Sequence, residues 1–355
     1  MAKISTYGPG KLEVVLKFLL GELPLSQVVG ILKELGVKLV ILGQFGQYDF
    51  PHGFLGTQNL LSYCPAADHW SGWWGYDGYA SGPSSWGDHN EDWVICKTGK
   101  NQSPIDIKPQ ALLYDPQLQP FKLETASVSG TFRNNKRDLT LLVNNSNPAV
   151  NFTAGPLSYT YRLYQIKLHF GRENVSGSEH HIDGKAFAGE IQFMAYNSDL
   201  YANHSVAQVS PRGVAILAVF ISVGDYENSA FQFLQEKFYV IDKQDSCTDV
   251  KHLPVDKLLP KSLDHYMTYA GSLTQPSCRE TVTWIILNKP MYISSKQLTD
   301  LRRIPYQEWR DSNARPIMPL NRRTIRTNIN FGKRTRLCSM EVSKRYVANP
   351  DVGLR

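Results

Sequence analysis

A mostly β domain built on one large sheet, with short helices on its surface, is what the sequence predicts, and three observations carry that expectation. Residues 165–171 and 189–197 read as two neighbouring strands, because polar and apolar side chains share them in a way that suits a pleated segment. Short alternating segments, Leu139–Val143 and 150–152, are separated by the turn-forming run Asn144-Asn145-Ser146-Asn147-Pro148, as a meandering sheet requires. Residues 213–223 form a continuous apolar run without helical periodicity, and its β-branched content predicts a strand buried on both faces in the middle of the sheet.

The chain has 355 residues, 42% of them hydrophobic, enough to bury a full core in one large domain with extensions. We place that domain at residues 65–331, after an N-terminal extension at 1–60 and before a polar, basic and disordered tail at 332–355. In the extension, residues 12–20 and 28–42 carry apolar positions at mixed spacing, suited to one or two helices. A signal peptide is only partly matched, since Glu13 and Lys17 interrupt the apolar stretch. The alternatives are an unusual extension or a start placed upstream of the true one. No apolar run reaches the length of a membrane span, because Lys33, Glu34 and Lys38 break the best candidate, so no transmembrane anchor is expected.

The formal net charge is +6, and much of the excess falls late in the chain, from Arg302 to Arg345. That pattern fits a solvated surface and tail, or a patch for an acidic partner or glycan; nothing reads as a nucleic-acid motif. The five cysteines, Cys64, Cys96, Cys247, Cys278 and Cys338, contain no Cys-x-x-Cys pair, which argues against zinc ribbons and thioredoxin-type chemistry. An odd count leaves at least one thiol over.

The candidate site lies on the two central strands. Lys167 and His169 are two apart and share a face, and Gln192 on the neighbouring strand is able to join them. This stretch, with Trp73-Trp74-Gly75-Tyr76, Gly82-Pro83-Ser84-Ser85-Trp86-Gly87 and Gln102-Ser103-Pro104-Ile105-Asp106-Ile107 before it, resembles the α-carbonic anhydrases. So do Gly271-Ser272-Leu273-Thr274-Gln275-Pro276, Val282–Leu287 and the closing residues 315–331. The resemblance covers residues 73–331. It implies a single domain around a large, twisted, mostly antiparallel central sheet.

The resemblance also implies what has changed. Lys167 stands at the first zinc-ligand position, His169 at the second and Gln192 at the third. A Lys ammonium has no lone pair to give, and an amide oxygen is a poor zinc ligand, so zinc is not expected as a cofactor. Without zinc no bound water is brought to a pKa near 7, and the hydroxide that attacks carbon dioxide is not made. The family's proton-shuttle His is also missing, since Asn145-Ser146-Asn147 occupies its place. Thr274 and Glu179 match the pair that orients the zinc-bound hydroxide in active members, while Gln275 replaces a second Thr; here Thr274 and Glu179 are expected only to satisfy buried polar groups. His180 is expected beside Glu179, facing elsewhere, and Lys167 is expected against Glu179 or water.

Cys96 and Cys278 match the disulfide of extracellular members of the family, a cross-link on the order of 4 kcal/mol or somewhat more in a chain-entropy account. Sequons at Asn101, Asn144, Asn151, Asn174 and Asn203 lean toward the same compartment, with Asn151 and Asn174 preferred on turns or strand edges. A secreted, extracellular glycoprotein is the consistent expectation. The basic residue at the first ligand position and the ending Ile325-Arg326-Thr327-Asn328-Ile329-Asn330-Phe331 look most like the carbonic anhydrase-related proteins ten and eleven, in an invertebrate form. That resemblance implies a catalytically inactive neuronal ligand whose partner is a neurexin-like surface protein; separately, the odd cysteine count and its place in the basic tail make Cys338 a candidate intermolecular thiol, against an inert thiol or a pairing with Cys247. The alternatives are a residual carbonate dehydratase and a non-catalytic metal-binding protein.

Overall fold

The computed structural model describes residues 2–4, 14–16, 74–124, 127–144, 149–241, 246–304, 311–331 and 346–347. The chain divides into two compact units, residues 1–59 and 60–355. In the first, β1 (Ala2–Ile4) pairs antiparallel with β2 (Val14–Leu16). Val14-Val15-Leu16 is thus a strand where mixed apolar spacing suggested helix, in keeping with the β-branched pair. The expectations for residues 28–42, the shuttle position 145–147, Cys64, Cys338 and most of the tail lie outside the described residues.

The second unit continues with β3 (Asp106–Ile107), β4 (Leu113–Tyr114), β5 (Phe121–Leu123), β6 (Ser127–Asn134), β7 (Leu139–Val143), β8 (Asn151–Ala154), β9 (Tyr161–Phe170) and β10 (His181–Ile182). It then runs through β11 (Gly189–Asn197), β12 (Val214–Gly224), β13 (Cys247–Pro254), β14 (Tyr266–Gly271), β15 (Val282–Leu287), β16 (Met291–Ser294), β17 (Arg326–Thr327) and β18 (Tyr346–Val347). Among the described residues, one sheet of 14 strands is organised along the order β13-β6-β7-β9-β11-β12-β15-β14-β17-β4-β18, with β5, β8 and β16 attached at its sides. Pairing is mostly antiparallel; β12 runs parallel to both β15 and β16, and β4 parallel to β17 and β18. Among the described residues five short α-helices accompany it: α1 (Trp86–His89), α2 (Ile95–Thr98), α3 (His204–Gln208), α4 (Ser229–Phe238) and α5 (Ser295–Arg302).

Strand β12 explains why its sequence lacks polar alternation. Ala215, Leu217, Val219 and Ile221 enter one hydrophobic cluster, with Phe193, Phe231 and Ile285. Val214, Ile216, Ala218 and Phe220 enter a second, with Trp284 and Tyr269. Successive side chains point to opposite faces, and each face is covered over Val214–Ile221, so every position there is apolar, while Ser222 falls where burial ends. On the first face α4 presents Ala230, Phe231, Leu234 and Phe238 as a buried stripe, its first turn held by the Asn228 side chain, which accepts from the Ala230 and Phe231 amides. Helix α5 starts with a reciprocal capping box between Ser294 and Gln297.

Register across the middle strands places the site. Thr140 on β7 lies opposite Lys167 on β9, Lys167 opposite Gln192 on β11, and Gln192 opposite Ala218 on β12. One step along, His169 lies opposite Glu190.

Candidate functional site

Lys167 and Gln192 are therefore direct cross-strand neighbours, and His169 follows two residues on from Lys167 on the same face. All three side chains are buried. The Lys167 ammonium does not turn to Glu179 or to water, as expected from the sequence. It donates to Asp138 Oδ2 at 3.3 Å and to the Gln275 amide oxygen. The reason is local. Asp138 lies immediately before β7, two residues before Thr140, at the entrance to the strand that pairs with β9, and a fully buried carboxylate is a stronger attractor for a buried ammonium than solvent is.

Asp138 is held from several sides. Thr140 Oγ1, Asn135 Nδ2 and the Gln275 amide nitrogen donate to it. Burial by itself raises the Asp138 carboxyl, but the Lys167 charge and the Thr140 and Gln275 hydrogen bonds outweigh it and hold the group down at about 2. Gln275 also donates to the Tyr76 hydroxyl at 2.8 Å, which brings the opening aromatic segment into the network. Burial, then the nearby Glu179 and Asp138 carboxylates, push the Tyr76 phenol well above its ordinary value, so it stays neutral.

His169 is completely buried. Its Nδ1 donates to the Asn313 carbonyl at 2.7 Å, and the Asn313 side chain fixes the same strand through Phe170 N and the Leu168 carbonyl. The Nε2 atom makes no hydrogen bond among the described residues and lies 3.6 Å from Glu179 Oε2. Glu179 accepts from Gln192 Nε2 at 2.8 Å and from the Arg315 backbone N–H at 3.1 Å. Gln192 Nε2 reaches Glu190 Oε1 as well, at 2.9 Å. Thr274 is buried beside this network, but no hydrogen bond joins it to Glu179 among the described residues.

His180 does face away from Glu179. Its backbone N–H and Nδ1 donate to Glu190 at 2.8 and 3.0 Å, and its Nε2 lies 2.8 Å from the Tyr269 hydroxyl. Tyr269 continues to Ser103, whose Oγ accepts from the Ser272 amide. Burial raises the Glu190 carboxyl, yet the His180 ring and its hydrogen bonds bring it down to about 2.

Behind this layer the opening segment is packed on the domain. Trp74, Tyr76 and Trp86 meet edge to face with centroids 5.3 to 6.1 Å apart, and Tyr76 stands 6.5 Å from the His169 ring. The Arg315 guanidinium lies 5.4 Å from the Trp86 ring and donates to Gln102 Oε1 and to the Ser103 and Cys96 carbonyls. Burial lowers its pKa to about 10 against the pull of Glu179, so the group stays charged at neutral pH. Cys96 in α2 is bonded to Cys278, with Cα atoms 5.0 Å apart, as the resemblance implied. Cys247 is disulfide-bonded too; its partner lies outside the described residues.

Asp138, Glu190 and Asn313 are the members of the site that the sequence reading did not single out, and Tyr76, Gln275 and Arg315 entered it only as parts of matched segments, without their roles here. Asp138-x-Thr140 had a usable signal, a carboxylate and a hydroxyl at strand period on a segment that meanders next to Lys167. Asn313 and Arg315 had none, because their approach depends on how residues 311–331 return across the sheet.

A large, mostly antiparallel sheet bearing a polar cluster on two central strands, closed by an aromatic segment and one long-range disulfide, is the arrangement of the carbonic anhydrases, and the chain belongs to that family: the description of eukaryotic-type carbonic anhydrases matches residues 81–329. Among curated relatives the chain is similar to carbonic anhydrase-like protein 2 of Caenorhabditis elegans, 39% identical over 288 residues that span 76% of this chain and 85% of that protein.

Proposed function

We propose that this protein is a catalytically inactive, secreted member of the carbonic anhydrase family that acts as a binding ligand for another surface protein. The observation that carries the reading is the Lys167 ammonium, held between Asp138 and Gln275 at the position of the family's first zinc ligand. The residues at the three positions do not fit zinc. Lys167 brings a positive charge already paired, and Gln192 turns its amide nitrogen toward Glu179 and Glu190. His169 Nε2 alone is a suitable nitrogen, and tetrahedral zinc sites of this kind take three protein ligands. Among the described residues no group of three or more His, Cys, Asp and Glu side chains is placed to hold a metal. A centre filled by internal hydrogen bonds supports a structural rather than a catalytic use.

The Cys96–Cys278 disulfide and the exposed sequon residues Asn101, Asn144, Asn174 and Asn203 support a secretory route, whereas Asn151 is half-buried in β8. No helix among the described residues is long and apolar enough to cross a membrane. The partner is a neurexin-like neuronal surface protein, a reading supported by the resemblance of the closing segment and of Lys167 to carbonic anhydrase-related proteins ten and eleven, and Cys338, which with Cys64 is one of the two cysteines able to pair with Cys247, is the thiol to test for a covalent link. Two measurements test this. Purified protein should contain no stoichiometric zinc after dialysis against zinc salts and should not speed carbon dioxide hydration; a bound equivalent of zinc with hydration activity would overturn the inactive reading. Neurexin ectodomains on cells should capture the secreted protein, and loss of a non-reducing adduct in Cys338→Ser would place that thiol in the link. A folded, secreted protein that is not captured would reject this partner.

A further inference from the structure

We infer that Asn203 carries an N-linked glycan that lies over an apolar patch around helix α3; the inference rests on the secreted reading above. Asn203-His204-Ser205 is a sequon, and residues 202–206 are exposed. Leu200, Val206 and Val209 are 48%, 47% and 59% exposed, so three large apolar side chains stand in water within six residues of Asn203. Val206 lies in α3 three residues after Asn203, and Val209 is the residue that caps the other end of this short helix. Exposed apolar side chains this close along the chain to a sequon are within reach of a glycan attached there.

The local geometry suits attachment. Asn203 is the N-cap of α3, and its Oδ1 accepts from the Val206 N–H at 3.0 Å. That bond uses the oxygen only, whereas the sugar is attached through Nδ2. The transfer forms a bond from Nδ2 to C1 of a lipid-linked oligosaccharide, breaks the bond from C1 to the pyrophosphate oxygen, and releases the lipid pyrophosphate with the amide proton. The cap therefore survives modification. Neighbouring contacts fix the segment: the His204 ring stacks on Tyr164 at 4.8 Å, and Gln208 donates to the Tyr164 hydroxyl at 3.0 Å. A sugar on Nδ2 then starts from a side chain held at the N-terminus of α3.

The other sequons differ. Asn101 and Asn151 already use Nδ2 as a donor, to Glu280 at 3.2 Å and to Glu124 at 2.8 Å. Asn174 is exposed, with one strongly exposed apolar neighbour, Val175. Asn144 is exposed at the edge of the described residues. Asn203 alone combines an uncommitted Nδ2, a fixed side chain and several apolar neighbours.

The test expresses the full chain in insect cells twice, with and without an added secretory leader, and maps Asn-to-Asp conversion by peptide N-glycosidase. Conversion at Asn203 in the leader-driven protein is expected, and removal of the glycan should raise the fluorescence of an apolar surface dye at least about twofold. Asn203→Asp, which keeps the capping oxygen, should show the same high dye signal without treatment, and Asn174→Gln should not. An unmodified Asn203 in leader-driven protein overturns the site, and occupancy without a dye response overturns the covering role. Occupancy in the leader-driven protein supports the site whether or not the leaderless chain is modified, and failure of the leader-driven, glycosylated protein to leave the cell folded would reject the secreted reading instead.

Discussion

Lys167 is the residue whose change has the largest consequence. Its ammonium and the Asp138 carboxylate are both buried, so each is tolerable only because of the other and of the amide and hydroxyl donors around them. Lys167→Met leaves a buried carboxylate without its cation and should cost about 3 to 5 kcal/mol in denaturant unfolding. Lys167→Met combined with Asp138→Asn should be less destabilising than the single Lys change; an additive loss would mean that the two groups are not coupled. Acid supplies a second measure. Asp138 and Glu190 sit at about 2 in the folded protein against ordinary values of 3.8 and 4.5. As pH falls, the unfolded chain binds protons first, so stability is full near neutrality, declines from about pH 5 and levels off below about pH 2, by on the order of 2 kcal/mol for each group. Asp138→Asn should flatten part of that slope in urea titrations taken across this range.

At the scale of elements, the long connection from α2 to the loop after β14 is the one most exposed to covalent control. The Cys96–Cys278 bond closes a span of 182 residues, and replacing both cysteines by Ser should destabilise the domain by about 2 to 5 kcal/mol. The change is expected to act first on Trp86 and Arg315, because Arg315 donates to the Cys96 carbonyl and packs on Trp86. A measurable sign is a shift in tryptophan emission before global unfolding. Helix α5 is a smaller case: Ser294→Ala removes one half of its capping box and should cost about 1 kcal/mol.

For the whole molecule, stability should be graded outward from the centre of the sheet. Strands β9, β11 and β12 are buried almost throughout, while β13 lies at one end of the main strand order with several exposed residues. Amide exchange should therefore be slowest in β11 and β12, at the rate of global unfolding, and faster in β13. Equal protection across these strands would argue that the sheet opens only as a unit. The same gradient shows why the site is rigid: its polar side chains stand on the most protected strands, with the two hydrophobic clusters around them.

Periodicity and motif order were enough to read the sheet, the middle strand β12, the shared face of Lys167 and His169, and the pairing of Cys96 with Cys278, the last through the family resemblance. These are local patterns or matches along the chain, and a period of two survives whatever packs against it. Only the tertiary structure decided where the Lys167 charge goes, what Glu179 and Gln192 hold, and that Asn313 and Arg315 close the site. The Lys167–Gln275, His169–Asn313 and Glu179–Arg315 contacts join residues more than a hundred positions apart, and a buried charge takes the partner that the folded chain brings within reach, which no local spacing encodes.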